Sequence, residues 1–215
     1  ATLHYFKGDY ANAEMLYQRA LTVSEKALGP DHHLFATSLN NLALLYSELG
    51  DYVKAEPLHR RALAIREKTL GPEHPDVATS LYNLAVLNND LGDYAKAEPL
   101  HRRALAIREK ALGPEHPLLA SSLNSLATLH YFKGDYANAE MLYQRALTVS
   151  EKALGPEHPN VATYLNNLAR LYRVGGDHAK AEQLHQRALV IWEKSLGPEQ
   201  PDVGEALNDL AILHM

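Results

Sequence analysis

Cysteine is absent from this 215-residue chain, which excludes a disulfide framework, thiolate metal sites and a cysteine nucleophile. Long apolar runs are also missing. No stretch approaches the 18 residues a membrane helix needs, and the N-terminal ATLHYFKGDY lacks the charged and apolar regions of a signal peptide. An excess of basic charge is lacking too. The net charge is −5, with Lys and Arg interspersed among Glu and Asp, so no positive field exists to release counterions from a phosphate backbone. Nucleic acid and membrane are therefore disfavoured as partners, and a soluble cytoplasmic protein is the expectation. There is no Walker loop, GxSxG, HExxH or dinucleotide fingerprint.

What is present is a beat. Gly8, Gly29, Gly50, Gly71, Gly92, Gly113, Gly134, Gly155, Gly176 and Gly197 recur every 21 residues. Punctuation that regular belongs to a repeat array, because a unique globular core sets its turns at uneven intervals. A third of the residues are Ala or Leu, which favours helices over disorder.

One 42-residue period, Asp76 to Pro117, contains two helix patterns. In the first, helix A, Val77, Leu81, Leu84, Ala85 and Leu87 share one helical face. Pro75 stands where a helix begins, since a first-turn N–H has no intrahelical partner to lose. Gly92 should close the helix by adopting a left-handed conformation. In helix B, Asp93 can cap the first turn, and Tyr94, Ala97, His101, Ala104, Leu105 and Ile107 form the buried stripe before Gly113 and Pro114 end it. One or two residues between A and B require an antiparallel hairpin, and about four residues, GPEH, lead to the next A. Alanine recurs where helices must approach closely: Ala85, Ala97 and Ala104, with Ala43, Ala55 and Ala62 one period before and Ala127, Ala139 and Ala146 one period after. Pro57 and Pro99 lie several residues inside helix B, which predicts a mild bend there.

Leu81, Leu84, Ala85, Gly92, Tyr94, Ala97 and Ala104 resemble the tetratricopeptide repeat, whose usual unit is about 34 residues. The longer unit here is similar to the 42-residue repeats of kinesin light chains, and the likeness covers essentially the whole chain. It implies an all-α fold: a right-handed superhelical solenoid of antiparallel helix hairpins, a single domain over residues 1–215 with about five units. It further implies a protein-protein interaction scaffold that binds a peptide or protein segment in a concave groove lined by A helices, without enzymatic activity or cofactor.

On that geometry the groove residues are Asn40, Asn41, Tyr82, Asn83, Asn124, Thr128, Tyr131, Asn166, Asn167, Arg170 and Arg173. Asparagine amides can pair with the backbone of an extended peptide; the same amides could equally bond across to neighbouring repeats and hold the stack in register. The lysine with which some family members clamp a carboxylate terminus is replaced by Thr37, Thr79, Ser121 and Thr163, which disfavours that ligand. Only Arg170 and Arg173 are basic, with Glu48, Asp90 and Glu205 opposed to them, so acidic cargo is not carried over from the resemblance.

Twelve histidines raise the question of a metal. His74, His116 and His158 are one loop position copied, and His59, His101 and His185 share a position with Tyr17 and Tyr143. Ligands one period apart do not converge on an ion, so no metal site is expected and the loop histidines are expected to cap helix A or pack under the turn. Repetition argues against catalysis as well: Glu56, Glu98, Glu140 and Glu182 recur as copies, whereas an active site needs a unique constellation.

Residues 1–30 are identical to residues 127–156, and both Ala1 and Met215 align with the interior of a helix A. The expectation is an excerpt from a longer array with interrupted hairpins at both ends. Such unshielded ends predict head-to-tail self-association, and a purely structural or self-assembling array is the alternative to a groove that binds ligand.

Overall fold

The computed structural model describes residues 10–214. Gly8, the Ala1–Tyr5 stub and Met215 lie outside the described residues. Ten helices and no strand occur among the described residues: α1 (Tyr10–Leu28), α2 (His33–Glu48), α3 (Tyr52–Leu70), α4 (Pro75–Asp90), α5 (Tyr94–Leu112), α6 (Pro117–Phe132), α7 (Tyr136–Leu154), α8 (Pro159–Val174), α9 (His178–Leu196) and α10 (Pro201–Leu213). Even-numbered helices are the A helices and odd-numbered ones the B helices. The complete A helices have 16 residues and the B helices 19.

Each helix starts and stops for reasons visible in the chain. The loop histidines cap the A helices: Nδ1 of His74 accepts from the Asp76 N–H at 3.1 Å, and His32, His116 and His158 repeat the bond two residues on. Asp51, Asp93, Asp135 and Asp177 cap the B helices in the same way through the N–H three residues later. The A-to-B connection holds three residues, one more than the expected maximum, because the turn is a Schellman motif. Leu91 remains in the right-handed region, Gly92 takes φ +74°, and the Gly92 and Asp93 N–H groups bond back to the carbonyls of Asn89 and Asn88. The B-to-A connection is different. Gly71 sits at φ 86°, ψ 157°, a region open in practice only to glycine. Pro57 and Pro99 leave α3 and α5 as continuous helices.

The chain divides into two compact units, one ending at Ile107 and the other starting at Arg108, so the division falls inside α5. In the first unit, α2 packs on α1 and α3, α3 on α4, and the A helices α2 and α4 touch. Its core joins Leu42, Leu45, Tyr46, Ala55, Leu84 and Leu87 in one cluster and Phe35, Ala36, Leu39, Ala62 and Ile65 in another. In the second unit, α6 packs on α7, α7 on α8, α8 on α9 and α9 on α10, with A helices again touching as α6·α8 and α8·α10. Val161, Leu165, Ala188, Ile191, Trp192, Val203 and Ala206 form one of its clusters. Every repeated alanine named above is fully buried, which is what close helix approach demands.

Candidate functional site

Helix A turns its Leu and Ala stripe inward, so the residues between the stripe positions decide what the opposite face offers. Two of the expected groove residues are not on that face. Asn40 and Asn166 are buried, at 5% and 3% exposure. A buried amide must be hydrogen-bonded, and the B-helix histidine of the same hairpin supplies the partner: Nδ1–H of His59 donates to Asn40 Oδ1 at 3.0 Å, and His185 does the same for Asn166 at 2.6 Å. Burial pushes the His59 imidazole down to about 4 and lowers that of His185, so both are neutral donors at pH 7. Asn40 and Asn166 therefore join A to B and are removed from the set of groove residues.

The remaining nine stay exposed or half-buried, and several bond sideways. Asn83 Nδ2 donates to Asn40 Oδ1 at 3.0 Å, and Asn167 Nδ2 donates to Asn124 Oδ1 at 2.9 Å. These amides link one A helix to the next. Tyr82 meets His101 edge to face, with ring centroids 5.8 Å apart.

Asn41 lies with Tyr17, Leu44, Leu45 and Glu48 around a hollow of about 130 Å³. Thr128, Tyr131, Asn167 and Arg170 surround a second of about 80 Å³, together with Phe132 and Tyr143. Tyr131 packs edge-on to Phe132 and tilted against Tyr136, and both of those rings are largely exposed. Arg173, half-buried, is not among the residues lining either hollow.

Electrostatically the second hollow is nearly neutral. Arg170 donates from Nε to Asp209 at 2.7 Å and also pairs with Glu205. Burial opposes its charge, but the bonds and fields of Asp209 and Glu205 prevail and raise its pKa. Burial also pushes Tyr143 up to about 12, leaving a phenol that hydrogen-bonds the Thr128 hydroxyl at 2.9 Å. Tyr17, Phe132, Tyr143 and Asp209 were not among the expected groove residues. The signal for Tyr143 lay in its alternation with His: where B carries His59 or His185 the bond goes to an A-helix Asn, and where it carries Tyr143 the bond moves to Thr128. Among the described residues no three His, Asp or Glu side chains converge as a metal would require, and no helix is long and apolar enough to cross a membrane.

Paired helices of 16 and 19 residues, joined by Schellman turns, define a helix-hairpin repeat protein. The chain belongs to the tetratricopeptide repeat family, whose model matches residues 1–68, 34–110, 76–149, 119–189 and 167–214. Proteins of this family generally serve as interaction scaffolds for proteins or peptides. The crystal structure of BtubC (BKLC) from P. vanneervenii is similar at 30% identity and a TM-score of 0.77, over 93% of this chain and 79% of that one. Two crystal structures of a putative kinesin light chain from Podosopora anserina with nearly identical TPR-like repeats are also similar. One of them, a single-substitution form of that protein, has 29% identity and a TM-score of 0.72 over 87% of this chain and 89% of its own. The other has 28% and 0.70 over 88% and 90%. No curated protein matches the chain. The fold class is thus the all-α, kinesin-light-chain-like TPR solenoid.

Proposed function

We propose that the A-helix face binds an extended segment of a partner protein, with no chemistry performed on it. One contrast carries this reading. Ala43, Ala85, Ala127 and Ala169 are identical and fully buried, whereas the next position along each helix holds Leu44, Val86, Thr128 and Arg170, all exposed or half-buried. Thr128 and Arg170 also bond within the stack; the constancy of the buried position beside the variety of its more exposed neighbour is what supports a ligand-facing surface. The contact set is Asn41, Tyr82, Asn83, Asn124, Thr128, Tyr131, Asn167, Arg170 and Arg173. The pairing of Arg170 with Asp209 and Glu205 favours uncharged or aromatic ligand side chains over acidic ones at that end. A cytoplasmic location belongs to the same reading, supported by the absence of cysteine.

Selection of peptides from a displayed random library against the whole chain tests it. Selected peptides should bind Asn41→Ala or Tyr131→Ala about tenfold more weakly, with helicity and melting midpoint unchanged. Failure to enrich any peptide, or binding indifferent to both substitutions, would overturn the groove reading.

A further inference from the structure

A cavity of the first unit lies away from the A-helix face, between the B helices α3 and α5 above α4. It measures about 450 Å³ and is lined by Leu63, Ala64, Leu84, Pro99 and Leu100, with Asn88 among its walls and Arg60, Glu67, Lys96 and Ala95 beside it. Such a volume falls in the range of small-molecule and side-chain pockets.

Sister repeats show what this space is shaped for. One period before Asn88 stands Tyr46 and two periods after it stands Tyr172, while one period after it the ring is that of His130, bonded to Asp135. The Tyr46 hydroxyl donates to Glu14 at 2.7 Å and lies 3.4 Å from Gln18 Nε2, while Lys54 Nζ sits over its ring at 4.9 Å. Tyr172 repeats the set with Glu140 at 2.7 Å, Gln144 at 3.1 Å and Lys180 at 5.0 Å. At the repeat of Asn88 the corresponding residues are Glu56, Arg60 and Lys96. Lys96 is anchored to Asp93 at 2.6 Å, as Lys54 and Lys180 are to Asp51 and Asp177 at 2.8 Å. The lysine and glutamate of the cradle are thus kept, arginine replaces glutamine and engages the glutamate, and the ring is missing.

Asn88 adds a second, independent feature. It is buried at 2% exposure, and its Nδ2 donates one hydrogen to the Leu84 carbonyl at 2.6 Å, which leaves Oδ1 as its acceptor for a ligand donor. A ring entering from outside would therefore meet apolar walls, a lysine ammonium over its face, and an acceptor for a donor at its inner end. Phenylalanine lacks that donor; tyrosine supplies it. The rim charges are already paired, Arg60 with Glu56 at 2.7 Å and Glu67 with Arg103 at 2.5 Å, so no charge is asked of the ligand.

We propose that this cavity is a socket for a tyrosine side chain of a partner protein, inserted between α3 and α5 with its hydroxyl donating to Asn88. The inserted ring takes the place that Tyr46 and Tyr172 fill from within, but arrives from the opposite side. The site is separate from the A-helix face and stands or falls apart from it.

The test uses p-cresol, the tyrosine side chain itself, titrated into the whole chain while amide and Asn side-chain NMR signals are followed. Saturable shifts are expected at Ala64, Lys96 and Asn88. Toluene, without the hydroxyl, should bind about tenfold more weakly, and Asn88→Ala should remove the difference between the two probes. Asn88→Tyr, which restores the sister residue, and Ala64→Phe, which blocks the mouth from an exposed position, should each abolish the shifts while the melting midpoint is maintained. Peptides selected on the wild type and counter-selected on Asn88→Tyr should share a tyrosine whose replacement by Phe weakens them. Shifts that persist in both blocked variants, equal affinity for toluene and p-cresol, or selected peptides anchored by residues other than tyrosine would each overturn the proposal.

Discussion

Arg66 reaches from α3 to Ser80 on α4, its Nη1 donating to the serine hydroxyl at 2.9 Å in a fully buried contact. The same guanidinium also donates to the Asp76 carbonyl and to Thr37. Arg108 and Ser122 repeat the pair at 2.5 Å. Elsewhere the two positions carry Ser24 with Ser38, hydrogen-bonded at 3.2 Å, Ser150 with Tyr164, and Trp192 with Ala206 in one apolar cluster. At four of these five joints a large residue on one helix is met by a small one on the next, and at the first, two serines meet. Successive hairpins are therefore matched at this joint and are not interchangeable.

Ser80→Tyr should be overpacked against Arg66 and lose about 1–3 kcal/mol. Adding Arg66→Ser, which recreates the Ser150 and Tyr164 combination, should recover part of that loss. A double-mutant cycle read from urea midpoints checks the coupling, expected at about 1 kcal/mol or more.

Acid sensitivity follows from His59. Burial holds its folded-state pKa at about 4 against an ordinary 6.5, so the folded chain favours the neutral ring. The unfolded chain takes up a proton first as pH falls. Stability from this group is complete above about pH 6.5 and declines toward pH 4, by up to about 3 kcal/mol. An NMR titration should place the His59 ring near 4. The pair Leu44→Thr and His59→Tyr, which copies Thr128 and Tyr143, should make the urea midpoint less sensitive to pH in that interval.

Two glycines should respond differently to the same substitution. Gly92, in a Schellman turn at φ +74°, occupies a conformation asparagine can share, so Gly92→Asn should cost about 1 kcal/mol. Gly71, at φ 86° and ψ 157°, lies where only glycine is comfortable, and Gly71→Asn should cost nearer ~3 kcal/mol. No atom lies within 4 Å of a Cβ built at either position, so any difference in melting midpoint reports backbone conformation alone.

The lateral amide pair offers a graded comparison. Asn83→Ala removes one hydrogen bond at a half-buried site and should cost about 1 kcal/mol. Asn40→Ala also strands the buried His59 Nδ1–H and should cost about 1–3 kcal/mol. Equal losses in chemical denaturation would show that the histidine bond contributes nothing.

Gln200 occupies the histidine cap position at the fifth junction and makes no side-chain cap bond. Gln200→His should supply one and stabilise the start of α10 by about 1 kcal/mol. Slower amide exchange in the first turn of that helix is the expected signature.

Helix boundaries, the hairpin order and the alanine contacts were legible in the sequence because each depends on a local period or a local punctuation mark. Loop histidines as caps were legible for the same reason. The division of labour between Asn40 and Asn41 was not. Both are the same residue type, and which one faces inward is decided by a phase difference of one residue, about 100° of helix rotation at 3.6 residues per turn. The cavity at Asn88 escaped because it is defined by a residue absent from one copy, and its size depends on two B helices brought together by folding.

None of the side-chain bonds named above joins residues more than 43 positions apart, the longest running from Asn83 to Asn40 and from Asn167 to Asn124. Loop closure therefore never has to span much more than one period before contacts reward it. Such a chain should begin to fold at whichever hairpin forms first and zip outward, with a rate set by one joint and nearly indifferent to how many repeats follow.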